Sequence, residues 1–167
     1  MPIDDRTAVA NNNKADLFIS LHANGSLRST VAGASIYYAA FDLNPKTSAG
    51  TAAGSERVPT VGGGTRDIEL VAWDLAQTHH VDRSAAFARV LEAQFHDRVP
   101  QAARPVDRAP LAVLTSANMP AVLVEMGFLT NGDQEKALAG SDFQNAFVQA
   151  VSDAIVMFRD SLDGAGR

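Results

Sequence analysis

The chain of 167 residues contains no cysteine. Disulfides, thiol nucleophiles and thiolate metal sites are therefore excluded. No run approaches the ~20 apolar residues that a membrane-crossing helix needs. The first twenty residues lack the charged-then-apolar pattern of a secretory signal. Positive charge is sparse: 14 Lys and Arg stand against 19 Asp and Glu, a net charge of −5. With no basic run, nucleic acid is not an expected partner. Histidine is scarce too, at four residues. Candidate metal ligands thus reduce to His22, His79, His80, His96 and carboxylates. There is no internal repeat. What the chain does have is core material. A hydrophobic content of 46% suits one domain over 1–167, burying roughly 70% of its unfolded surface.

Two short apolar runs end in side chains able to do chemistry. In ADLFISLHANGS, Leu17, Phe18, Ile19 and Leu21 lead to His22. The run is too short for a buried helix and suits an interior strand covered on both faces. His22 then stands at a strand end, where α/β sheets gather their ligands. An imidazole there can ligate a metal, act as acid or base, or hydrogen-bond a loop. In PAVLVEMGFLTN, Ala121–Val124 leads to Glu125. Alternation places Ala121, Leu123 and Glu125 on one face and Val122 and Val124 on the other. A carboxylate in such apolar company must be paired, protonated or hydrated in a cleft. If the two strands are parallel neighbours, His22 and Glu125 reach the same sheet edge, an arrangement that suits a metal-assisted hydrolase.

The remaining chain predicts an α/β domain whose sheet, mostly parallel or mixed, is flanked by helices. Asp4 or Asp5 is the expected cap of a first helix closing near Asn11–Asn13. Ala34–Ala40 alternates as a strand. The stretch 41–66, rich in Gly, Ser and Thr with Pro45 and Pro59, predicts one long flexible loop. Gly62–Gly64 is no phosphate loop, because no Lys-Ser/Thr follows it. Asp67–Val99 is expected to be mostly helical, first on Ile68, Val71 and Leu75, then on Phe87, Val90, Leu91, Phe95 and Val99, with Asp82 or Ser84 as cap. His79 and His80 read as a solvated junction and His96 as surface. Gln101–Ala109 is expected to be loop and Leu111–Thr115 a strand. Asn131 and Gly140 bracket a short helix. From Ser141 a capping box opens a terminal helix with Phe143, Phe147, Val151, Ile155, Phe158 and Leu162 on its core face.

Together, ADLFISLHANGS and MPAVLVEMGFLTN resemble the zinc-dependent N-acetylmuramoyl-L-alanine amidases of the cell-wall amidase 3 family. The likeness extends to the lead-in Arg6…Ala10-Asn11…Lys14-Ala15-Asp16, to Trp73–Gln77 with Ser84, and to Arg108–Leu114. It implies an amidase-like α/β fold, Zn2+ as cofactor, His22 as a zinc ligand and Glu125 as the catalytic glutamate. It also implies peptidoglycan as substrate, cut between the lactyl group of N-acetylmuramic acid and L-alanine, in the periplasm or extracellular wall. Members of the family open with a strand bearing a first zinc histidine in a Gly-His-Gly-Gly-like turn, then a zinc glutamate. This chain carries no such turn. The expectation is a sheet lacking that N-terminal strand, an incomplete ligand set, and an exposed sheet edge open to oligomer formation. The alternative is a zinc-free peptidoglycan-binding or regulatory module on the same fold.

Overall fold

The computed structural model describes residues 2–41, 55–59, 65–69 and 73–164. In chain order these form α1 (Ile3–Asn12), β1 (Phe18–Asn24), β2 (Ala34–Ala39), β3 (Ser55–Pro59), β4 (Thr65–Glu69), a 3-10 helix (Trp73–His80) and α2 (Val81–Phe95). Then come β5 (Gln101–Ala109), α3 (Ala112–Thr115), β6 (Ala121–Phe128), α4 (Gly132–Ala139) and α5 (Ser141–Gly164). Four strands make a mixed sheet in the order β1-β6-β2-β5. β6 runs parallel to β1 and antiparallel to β2, while β2 and β5 are parallel. The C-terminal ends of β1 and β6 and the start of β2 therefore meet at one end of the sheet.

Alternation along β6 decides what each face holds. Val122 and Val124 enter the larger core with Ile36, Phe87, Leu91, Phe95, Phe147 and Phe158. Here α2 and α5 cross over the sheet. The Phe87 and Phe158 rings meet edge to face with centroids 5.2 Å apart, and those of Phe95 and Phe147 lie at the same separation. Such pairs add about 0.5–1.5 kcal/mol beyond their buried area. Ala121 and Leu123 face a smaller core with Val113, Leu114, Ala117 and Met119, onto which Phe18 and Tyr37 pack. α1 lies on this side. Its Thr7 Oγ1 meets Ser116 Oγ at 2.8 Å. Asn11 clamps the same turn, donating to Ser116 O and accepting from Asn118 N, both at 2.9 Å.

Several expectations need correction. Ser55–Pro59 and Thr65–Glu69 pair as an antiparallel hairpin inside and just beyond the expected loop 41–66. The rest of that loop after Phe41, and Val71, lie outside the described residues. Ile68 is thus in a strand, and the helical stretch begins at Trp73. Gln101–Ala109 is a strand because it takes the sheet edge beside β2, where Pro105 and exposed charges do no harm. Leu111–Thr115 instead winds into the short α3, which places Val113 and Leu114 together in the smaller core. The first helix starts earlier than expected, with Pro2 at its cap position. Asp4 and Asp5 fall inside its first turn, where the helix dipole favours the negative charge of Asp5. No side chain caps α2, and Ser84 is buried in it. On α5, Ala150 and Ala154 share the buried face with Phe147 and Phe158, whereas Ile155 and Leu162 turn outward. The small alanines let α5 approach α2 closely. Asn131 does cap α4, accepting from Asp133 N and Gln134 N at 3.2 Å.

Candidate active site

His22 and Glu125 are direct partners in the parallel ladder between β1 and β6. Ser35 of β2 flanks Glu125 on its other side. Side chains at paired positions share a face, so His22, Glu125 and Ser35 stand in one row at the common end of the three strands. Leu123 and Tyr37 lie one pleat below, paired with each other on the same face. The two residues expected to come together therefore do so. His79 and His80 lie in the 3-10 helix, where His80 Nε2 meets Asn118 Oδ1 at 3.2 Å. His96 is exposed and pairs with Asp97 at 2.8 Å. None of the three joins His22 in a metal-holding group among the described residues.

The electrostatics of Glu125 follow from its bed. Burial raises its carboxyl above the ordinary carboxylate value, and the charge of neighbouring His22 offsets part of that rise. Its Oε2 is buried and has no hydrogen-bond partner among the described residues. A buried acceptor of this kind is costly to leave unmade. The carboxyl is thus suited to taking, holding and returning a proton.

Ser20 was not singled out by the sequence. It is buried, and its Oγ lies 2.8 Å from His22 Nε2. Residues two apart on a strand share a face, so Ser20 holds one ring nitrogen and leaves Nδ1 as the nitrogen able to meet a second partner. The i, i+2 spacing was the available signal. A second support lies at the other end of β6. Gln77 is completely buried, and its Nε2 donates to Ala117 O at 2.8 Å and Met119 O at 2.7 Å. Ser84 Oγ donates to Gln77 Oε1 at 2.5 Å and accepts from Ala121 N at 2.9 Å. This buried chain ties the 3-10 helix and α2 to the turn that starts β6.

A catalytic zinc takes three protein ligands. Among the described residues no three His, Asp or Glu side chains converge as a metal would require. The donor set on view, one imidazole and one carboxylate, does not by itself fit a zinc ion.

The family model for N-acetylmuramoyl-L-alanine amidases matches residues 1–157. The amidase AmiA of Salmonella typhimurium is 30% identical over 166 residues, covering 95% of this chain. AmiC of Neisseria meningitidis is 27% identical over 164 residues, covering 93% of this chain and 38% of its own length. The chain spans 57% of the length of AmiA. Among solved structures, an N-acetylmuramoyl-L-alanine amidase from Clostridium difficile 630 superposes with a TM-score of 0.69 at 21% identity, covering 96% of this chain and 67% of that one. The catalytic domain of CwlV from Bacillus (Paenibacillus) polymyxa gives 0.60 at 24% identity, covering 96% of this chain and 66% of its own. The mixed sheet with flanking helices is thus the amidase fold, and the chain belongs to the N-acetylmuramoyl-L-alanine amidase family.

Proposed function

We propose that this chain carries the hydrolytic machinery of a peptidoglycan amidase, cutting the amide between N-acetylmuramic acid and L-alanine at the cell wall, in the periplasm or outside the cell. The observation that carries this is the pairing of His22 with Glu125 at one strand end, with the Glu125 carboxyl raised by burial. Glu125 takes a proton from the attacking water and returns it to the leaving amine. Amine departure needs that proton, because an amide nitrogen is otherwise a poor leaving group. Ser20 orients the imidazole of His22. We assign His22 as one ligand of a zinc site that the described residues do not complete; a zinc held there would supply Lewis-acid polarisation of the scissile carbonyl. The smaller apolar core below the row, with Phe18, Leu123 and Tyr37, limits water beneath the reacting carboxyl.

The test is hydrolysis of a muramoyl-L-alanine amide in the presence of zinc. Glu125→Gln is expected to lose about 10²–10⁴-fold in turnover, and unchanged turnover would remove Glu125 from the proton-transfer role. Zinc found by elemental analysis of the purified chain and lost in His22→Ala would support the ligand role of His22, and no zinc in the parent would count against it. The second reading is a murein-binding module of the same family that works without metal. Binding of murein with no hydrolysis and no zinc uptake would select it.

A further inference from the structure

The segment from Gly25 to Gly33 joins β1 to β2, and β6 lies between those strands. It must therefore cross over the end of β6, the same end that carries His22 and Glu125. The crossing is anchored at several points. Gly25 N donates to Asn24 Oδ1 at 2.7 Å, and Ser26 N donates to Thr130 Oγ1 at 3.0 Å. Arg28 N donates to Ser26 Oγ at 3.1 Å, and Val31 N to Arg28 O at 3.2 Å. Gly33 closes it in the left-handed region with φ +99°, where a Cβ would meet the backbone of Gln101 and Ala102 at 2.4 Å.

On this fixed base the segment displays two side chains that serve no packing purpose. Leu27 is the most exposed large apolar residue described, and Arg28 is exposed as well. Arg28 has no acidic partner among the described residues. An ordered turn that holds an unpaired guanidinium and a bare apolar side chain at the sheet end where His22 and Glu125 stand presents a bidentate carboxylate receptor beside an apolar contact. The amide substrate brings the complement, because its peptide portion carries at least a terminal carboxylate.

We propose that Leu27 and Arg28 recognise the peptide side of the substrate, Arg28 by pairing with a peptide carboxylate and Leu27 by covering the apolar part of the chain. This rests on the amidase activity proposed above. Its substance is specificity: an acidic peptide is preferred over its amidated counterpart, and Arg28 is the residue that distinguishes them.

The experiment measures binding to the Glu125→Gln chain, so that nothing is turned over. The probes are N-acetylmuramoyl-L-alanyl-glutamate and its diamide, titrated by isothermal calorimetry at low and at physiological salt. The acid is expected to bind about three- to tenfold more tightly than the diamide. Arg28→Ala is expected to abolish that difference by weakening the acid alone, while Arg28→Lys keeps part of it. Leu27→Ser is expected to weaken both ligands equally. Equal affinity of the parent for acid and diamide, unchanged affinity in Arg28→Ala, or no binding of either ligand would each overturn the inference. Undiminished hydrolysis by Glu125→Gln would overturn the catalytic role and leave this result standing, so the two failures are distinguishable.

Discussion

Replacing Gln77 with leucine tests whether the buried polar chain before β6 holds the sheet together. Leucine has a similar volume, so packing is largely kept and the hydrogen bonds are what is lost. The Gln77 amide fills two acceptors, Ala117 O and Met119 O, and both residues are buried. Each buried carbonyl left unpaired costs about 1–3 kcal/mol. Ser84 also loses the acceptor of its hydroxyl, though His80 O at 2.9 Å remains to it. The net expected loss is about 2–5 kcal/mol, a large share of the ~5–15 kcal/mol that stabilises a domain. Urea denaturation should show a lower midpoint with an unchanged slope. Gln77→Glu separates bonding from volume, because it keeps the shape and turns a carboxylate toward two carbonyls. That variant should be weakest at neutral pH and recover as the new carboxyl protonates. A Gln77→Leu chain within ~0.5 kcal/mol of the parent would refute the reasoning.

Further outcomes can be checked in the same way. Burial raises the Glu125 carboxyl above its unfolded value of 4.5, so the folded state binds the extra proton and its stability should fall as pH rises from 4.5 through the raised value. In Glu125→Gln that component of the pH profile should vanish, and an identical profile would contradict it. The Asp153 carboxyl is held below its ordinary 3.8 chiefly by the hydrogen bond from Arg98, then by that from Gln149. Its stabilising contribution is present above pH 3.8 and lost as pH falls through the lowered value; carboxyl NMR titration of Arg98→Ala should show Asp153 moving back up. Gly33→Ala should cost more than ~1 kcal/mol, because both φ and the 2.4 Å approach to β5 oppose a side chain; an unchanged melting temperature would argue against that close approach. Asn131→Ala should cost ~1 kcal/mol through loss of the α4 cap, read by chemical denaturation.

Much of the site was legible because two apolar runs each stop at a polar residue, and a strand that stops there delivers that residue to a sheet end. His22 and Glu125 are such residues, and their ladder pairing follows from the strands being parallel neighbours. The order of the strands was not legible, since periodicity says which face a residue takes and not which strand lies beside it. β5 was hidden by Arg104, Pro105, Asp107 and Arg108, a composition that a sheet edge tolerates and a central strand does not. Leu111–Leu114 is too short a run for periodicity to choose between helix and strand, and packing against Ala117 and Met119 decided it. The buried bonds of Gln77 and Ser84 carried no local signal, although Ser84 read as a candidate cap. Their partners lie 40, 42 and 37 residues away, and only the closed fold brings them together.

The parallel pairing of β1 with β6 has a consequence for how the protein comes into being. Glu125 leaves the ribosome about a hundred residues after its ladder partner His22. Until then β1 lacks β6, its one neighbour in the sheet among the described residues. The His22–Glu125 pair cannot exist before β6 is made; it arises in the step that slots β6 between β1 and β2. Closing so long a loop is slow relative to local helix formation. The order of synthesis thus delays the meeting of His22 and Glu125 until β6 is made.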